Sequence, residues 1–260
     1  MSRLTSLLPS LQRALAERRL LKVIAGLSNF DADSVRRISR AAGAGGADLL
    51  DIACDPDLVR LAAESSGLPI CVSAVDPALF PAAVAAGAAL VEIGNFDTFY
   101  PQGRVFGAAE VLDLTRQTRA LLPGVVLSVT VPHVLSLDQQ EQLAIDLRSA
   151  GADLIQTEGG TSARPFSPGT LGLIEKAAPT LAAAHALSRA LAADGQPLPV
   201  LCASGLSAVT LPMAIAAGAS GVGVGSAVNR LQDELAMVAV VRGLREALAA
   251  VPVVANGIAS

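Results

Sequence analysis

Tryptophan is absent, tyrosine occurs once, and the 260-residue chain carries only three cysteines, two histidines and 3% aromatic residues. Charge is also scarce. The 19 basic and 23 acidic side chains make up 16% of the chain, below the roughly 25% of an average soluble domain. With 52% hydrophobic residues, this excludes disorder as the main state. Mean hydropathy is +0.53, yet no uncharged apolar run reaches the roughly 18 residues that a spanning helix needs. The net charge of −4 and a pI near 5.2 disfavour nucleic acid and anionic membrane as partners. Cys54, Cys71 and Cys202 share no C-x-x-C spacing, and Cys71 and Cys202 lie in apolar runs. Buried thiols in a reducing, cytoplasmic compartment are expected, not a disulfide framework. His133 and His185 belong to no metal-spaced cluster, so no metal is expected.

What is abundant is Ala, Gly, Val and Leu in short bursts. Eight such bursts, at 22–27, 48–53, 69–74, 89–94, 125–130, 153–158, 199–203 and 221–224, suit strands and are too short for helices. Helical patterns at 34–42, 110–121, 137–149, 180–191 and 208–217 lie between them. Strand alternating with helix implies parallel pairing, and eight units in about 240 residues match a closed (β/α)₈ TIM barrel of the α/β class. An open doubly wound sheet is the alternative. The first strand-to-helix turn, Gly26-Leu27-Ser28-Asn29, lacks the dinucleotide glycine fingerprint. The expected organisation is an N-terminal capping helix in 1–20, one barrel domain in 21–250 and a tail in 251–260. The amphipathic 1–20 segment carries Arg3, Arg13, Arg18 and Arg19 and is interrupted by Pro9. It lacks a signal peptide's apolar core, although a transit peptide is an alternative.

Local punctuation supports this order. Gly46, Gly87, Gly151 and Gly218 each stand just before an even-numbered burst, where a helix ends in a left-handed residue. Asp55-Pro56 and Asp76-Pro77 read as helix starts, and Ser136 with Gln139 reads as a capping box. The two longest loops, 95–109 and 159–169, follow strands and so belong to the C-terminal rim, where barrel active sites are built.

Chemistry is concentrated on that rim. Ser204-Gly205 follows the seventh burst and Gly225-Ser226 the eighth, the place where barrels present backbone N–H groups to a phosphate. Tight turns that need Gly for geometry are the alternative. Glu158-Gly159-Gly160-Thr161 after the sixth burst can form an anion nest, and the loop beyond it carries Arg164 and Phe166 as a candidate lid. All seven aromatic residues follow strands, and Phe96, Phe99, Tyr100 and Phe106 share one loop. They offer either a ligand surface or a small core of the loop's own. Period-two alternation places Lys22, Asp51, Ser73, Glu92, Thr130, Glu158 and Ser204 inward. Glu158, Glu92 and Asp51 are candidate acid–base groups, and His133 is another or a loop hydrogen-bonder. Lys22, one of two lysines, begins its burst and so lies low in the barrel. It is either an amine nucleophile or the partner of Asp51 or Glu92 in a structural ion pair. Ser28, Asn29, Ser73, Asn95, Phe96, Tyr100, Thr130 and Arg164 complete the set as candidate substrate contacts.

Six segments resemble one known family: Lys22-Val-Ile-Ala-Gly-Leu-Ser-Asn-Phe-Asp31, Pro69-Ile-Cys-Val-Ser-Ala-Val-Asp-Pro77, Val91-Glu-Ile-Gly-Asn-Phe-Asp97, Leu127-Ser-Val-Thr-Val-Pro-His133, Gln156-Thr-Glu-Gly-Gly-Thr-Ser162 and Leu201-Cys-Ala-Ser-Gly-Leu-Ser207. It is the cyanobacterial and plastid family of hypothetical chloroplast reading frame twenty-three. The resemblance implies a TIM barrel in the cyanobacterial cytosol or plastid stroma and assigns no reaction. The last three bursts also resemble the phosphate-binding end of FMN-dependent barrel oxidoreductases and of phosphosugar epimerase and thiazole synthase barrels. The mid-sheet lysine of the thiazole and pyridoxal synthase barrels has no counterpart in this reading, and no basic residue near the first bursts serves a flavin ring. The expected function is therefore phosphate-dependent lyase or isomerase chemistry on a phosphorylated small molecule. An FMN oxidoreductase and a non-catalytic metabolite-binding barrel are the alternatives, and a homodimer is the candidate assembly.

Overall fold

Each apolar burst carries side chains for two environments, and the fold separates them by strand alternation. In the computed structural model, which describes residues 3–159, 164–193 and 195–252, eight parallel strands close into a barrel in the order β1 to β8. They are β1 (Leu20–Gly26), β2 (Leu49–Ala53), β3 (Ile70–Ala74), β4 (Leu90–Ile93), β5 (Val126–Thr130), β6 (Leu154–Gln156), β7 (Val200–Ala203) and β8 (Gly221–Val224). Closure is made by β8 against β1, with Lys22 opposite Gly223. The helices are α1 (Pro9–Ala16), α2 (Ala32–Gly45), α3 (Pro56–Ser66), α4 (Phe80–Ala85), α5 (Ala108–Leu121), α6 (Leu137–Ser149), α7 (Gly169–Ala192), α8 (Leu211–Ala216), α9 (Ser226–Asn229) and α10 (Glu234–Ala249). Outward residues such as Val23, Ile52, Val72, Val91, Val129 and Val222 are buried beneath the helices.

Inward residues form layers. Leu20, Leu49, Cys71, Leu90, Val126, Leu154 and Leu201 make an apolar bottom layer, and Leu7, Leu11 and Leu15 around α1 pack against it. The amphipathic leader thus closes the N-terminal mouth, each buried leucine contributing about 1.5–3 kcal/mol. β1 starts at Leu20, two residues before the expected burst. Lys22 therefore sits in mid-strand, one layer above the bottom, and not at the low position read from the sequence. The residues of the polar layer come from β1 to β6: Lys22, Asp51, Ser73, Glu92, Ser128 and Gln156, all buried.

The expected punctuation is present. Gly46, Gly87, Gly151 and Gly218 all have positive φ. The Asp55 carboxylate accepts from the N–H groups of Asp57 and Leu58 at 2.8 and 2.9 Å. Asp76 caps only a short 3₁₀ turn, Pro77–Leu79, ahead of α4. The helix expected at 180–191 begins eleven residues earlier and runs through Pro179. Proline cannot donate to the helical ladder there, and that masked its first half in the sequence. Among the described residues no helix is long and apolar enough to cross a membrane.

Candidate functional site

A cavity of about 610 Å³ opens at the C-terminal rim, within the size range of small-molecule sites. Strand ends bring Ser204 and Gly205 after β7 together with Gly225 and Ser226 after β8, on one wall. Gly205 has φ +73°, and a Cβ there would lie 2.9 Å from the carbonyl oxygen of Lys176. Only glycine lets this turn rest on the α7 backbone, and that contact carries the Lys176 side chain to the same wall. Ser204 itself takes φ +83°, a strained backbone for a residue with a Cβ. Lys176, Arg230 and Arg164 all line the cavity, and among the described residues none of the three has an acidic partner. Burial and the like charge of Arg230 push the Lys176 pKa below its ordinary value. An anion between them would reverse both effects.

Two carboxylates, Glu158 and Asp97, line the same cavity. Glu158 Oε1 accepts from the Asp97 N–H at 2.8 Å. Glu158 Oε2 accepts from the Tyr100 hydroxyl at 2.7 Å and the His133 N–H at 3.3 Å, and it lies 3.1 Å from His133 Nδ1. Asp97 Oδ1 stands 3.5 Å from the same nitrogen, and Asp97 Oδ2 accepts from Ser204 Oγ at 3.3 Å. The hydrogen bond to Glu158 outweighs partial burial and raises the His133 pKa, with the charges of Glu158 and Asp97 adding to it. The Tyr100 pKa rises too, through burial and the Glu158 charge. His133 faces a smaller adjoining cavity of about 310 Å³ that shares Glu158 with the main one.

Below the cavity lies an ion network. Lys22 Nζ is 2.7 Å from Glu92 Oε2 and 3.5 Å from Asp51 Oδ2. Ser73 Oγ donates to Asp51 and Ser128 Oγ to Glu92, at 2.6 and 2.7 Å. Burial works against the ammonium, but Glu92 and Asp51 outweigh it and the Lys22 pKa ends raised. Burial raises Asp51 to about 6, with Lys22 opposing. Two amides separate this network from the cavity. Asn95 Nδ2 reaches Asp51 at 3.4 Å, and Gln156 Nε2 donates to Glu92 Oε1 at 2.7 Å. Both amides and Thr130 line the cavity. Thr130 fits because Gly94, at φ +158°, has no Cβ, which would fall 2.0 Å from Thr130 Oγ1.

Among the described residues two groups have cation-binding spacing, Asp51–Cys71–Glu92 and Asp97–His133–Glu158. The first already surrounds the Lys22 ammonium. In the second, Glu158 accepts from four donors, so a cation would have to displace the His133 nitrogen.

A family model described as "Protein of unknown function (DUF561)" matches residues 7–254. The chain belongs to the DUF561 family. Its relatives include "Uncharacterized protein ycf23" of Cyanophora paradoxa, 45% identical over 76% of this chain and 79% of the relative. The ycf23 protein of Pyropia yezoensis is 37% identical over 75% and 69%. Both carry the chloroplast reading-frame name that the sequence segments resemble. Solved structures share the barrel. 3-Hexulose-6-phosphate synthase superposes with a TM-score of 0.60 at 16% identity, covering 88% of this chain and 99% of that one. Thiamine phosphate pyrophosphorylase from Pyrococcus furiosus gives 0.56 at 17%, covering 91% and 98%. (S)-3-O-geranylgeranylglyceryl phosphate synthase from Thermoplasma acidophilum, in complex with sn-glycerol-1-phosphate, gives 0.57 at 13%, covering 92% and 97%.

Within this DUF561 barrel several expected contacts lie elsewhere. Phe96 is fully buried and stacks on Phe106 at 4.5 Å, with Phe99 edge-on to Phe106. The loop's rings form its own small core, because burying them there removes more apolar surface than facing an open cavity. Among the described residues, no aromatic lines the main cavity. The loop therefore lays no ring over this cavity, and Phe99 and Tyr100 are half-buried against the outer core. Ser28 is exposed, and Asn29 is used within its own turn, donating to Ala25 and Ser34. Ser73, Glu92, Asp51 and Lys22 lie beneath the cavity and not on its wall, and the surroundings of Lys22 fit the ion pair and not a free amine. Tyr100 does not line the cavity and spends its hydroxyl on Glu158. Gly159 packs against Pro179 and Thr180 of α7 and does not line the cavity. Gly160 and Thr161 lie outside the described residues. The sequence reading missed Lys176, Arg230, Asp97 and Gln156. Arg230 stands five residues past Gly225, a rim position that the strand count alone could have flagged.

Proposed function

We propose that this barrel binds a phosphorylated small molecule, with the phosphate between the Ser204–Gly205 and Gly225–Ser226 turns. The observation that carries this reading is that three cations, with no acidic partner among the described residues, line the same cavity as two glycine turns at the ends of β7 and β8. Backbone N–H groups there supply directional donors, and Lys176, Arg230 and Arg164 supply charge. Solved barrels of the same fold include enzymes named for phosphate esters, which supports the reading at the level of fold only.

The remainder of the ligand then meets Glu158 and Asp97, which line the same cavity. A carboxylate there is positioned to take a proton from a carbon or hydroxyl, and His133 holds a proton next to it. This suits lyase or isomerase chemistry, in which a proton is removed at one atom and returned at another. Glu92 and Asp51 act indirectly, by fixing the Gln156 and Asn95 amides of the cavity floor.

Isothermal titration of the full chain with inorganic phosphate tests the binding half. Binding is expected, and Lys176→Ala and Arg230→Ala should each weaken it by about tenfold or more, the size of one charge-assisted hydrogen bond. Affinity unchanged in both variants would place the anion elsewhere.

A further inference from the structure

We infer that the cavity selects a phosphate ester carrying a hydroxyl or N–H donor a short carbon chain from its phosphate, and that Gln156 reads that donor. This rests on the phosphate reading above. Gln156 is only 2% exposed. Its Nε2 donates to Glu92 Oε1 at 2.7 Å and to Thr130 Oγ1 at 3.3 Å. The other Glu92 oxygen holds Lys22 and Ser128. A carboxylate paired in this way can only accept, so the amide cannot be turned round: its nitrogen must face Glu92 and its oxygen must face away.

That oxygen, Gln156 Oε1, is buried and has no hydrogen-bond partner among the described residues. Buried acceptors are rarely left unpaired. Gln156 lines the cavity floor, and a Cβ on Gly223 would stand 3.4 Å from Oε1. Gly223 lines the same cavity, and without a side chain it sets no apolar group against Oε1. Gly223 is on the strand that leads to Gly225, about 6.6 Å lower at the ordinary rise of a parallel strand. The unpaired acceptor therefore sits at the depth that a ligand reaches one short chain below a phosphate held at Gly225. A hydroxyl or N–H there completes the network. A methylene leaves Oε1 unpaired, and a carbonyl or carboxylate oxygen opposes it. The substrate class is a polyol or sugar phosphate, not an alkyl phosphate or a phosphorylated carboxylate.

Calorimetry of the full chain with inorganic phosphate, propyl phosphate, glycerol 1-phosphate and ribose 5-phosphate tests this. At least one hydroxylated ester should bind about tenfold or more tighter than propyl phosphate. Gln156→Met should remove the difference while propyl phosphate still binds. If Gln156→Met does not fold, Glu92→Gln reads the same point, because an amide at 92 lets the Gln156 amide turn round. Equal binding of propyl phosphate and both hydroxylated esters overturns the inference and leaves the phosphate reading intact. Discrimination that survives in Gln156→Met overturns the role of Gln156. Failure of every probe, inorganic phosphate included, removes the phosphate reading and the inference with it.

Discussion

At the scale of single residues, the site depends on which polar groups are held and which are left unpaired. His133 is held. The Glu158 hydrogen bond raises its folded pKa above its ordinary value of 6.5. A raised folded pKa means that the native state binds the proton more tightly than the unfolded chain. The stability this adds is full below about 6.5 and is lost as pH rises through the raised folded value. In Glu158→Gln the His133 ring should titrate lower by NMR, and the stability lost on that alkaline limb should shrink. An unchanged His133 titration would show that Glu158 does not hold the proton. Lys22 is held more tightly still. Lys22→Met would leave Asp51 and Glu92 buried without their cation, and urea unfolding should show a loss of about 3–5 kcal/mol. Stability close to wild type would mean that the two carboxyls share a proton instead. Lys22, Asp51, Glu92 and Glu158 were legible in the sequence as inward polar positions, because alternation follows from strand geometry. Their division into cavity wall and buried network was not, because both kinds alternate alike. The cations Lys176 and Arg230 were hidden for another reason. Lys176 comes from a helix, where no period marks the rim, and Arg230 from the turn just past α9, five residues beyond Gly225.

At the scale of elements, α1 and the loop 95–109 show how a chain poor in aromatics still seals its surfaces. Leu11 is almost fully buried between α1 and the lower strand ends. Leu11→Ala should lower stability by about 2–5 kcal/mol in chemical denaturation. Phosphate binding should be unchanged, because the plug lies at the end of the barrel opposite the cavity. A loss of binding without loss of stability would contradict that separation. The amphipathic pattern of this leader made it readable in advance. The aromatic loop was read with two outcomes open, and packing chose between them. Phe96 and Phe106 gain more contact with each other and with the outer core than an open rim offers. α7 was only half visible, since Pro179 interrupts the signal that its first half would otherwise give.

For the whole molecule, closure of eight strands explains why one end is dry and the other chemical. Short apolar bursts, left-handed glycines before even-numbered strands and helix-capping acids all point to the same barrel, and the observed strands depart from the expected bounds by no more than two residues at either end. The arrangement puts leucines at the bottom, an ion network in the middle and a cavity lined by both cations and carboxylates at the top. The central claim is that the cationic wall receives a phosphate. A crystal structure of the full chain grown with phosphate tests it most directly. The account predicts a tetrahedral anion touching the backbone of Gly205 and of Gly225 or Ser226, with Lys176 or Arg230 alongside. An empty wall at saturating phosphate, or an anion bound only outside this cavity, would contradict it.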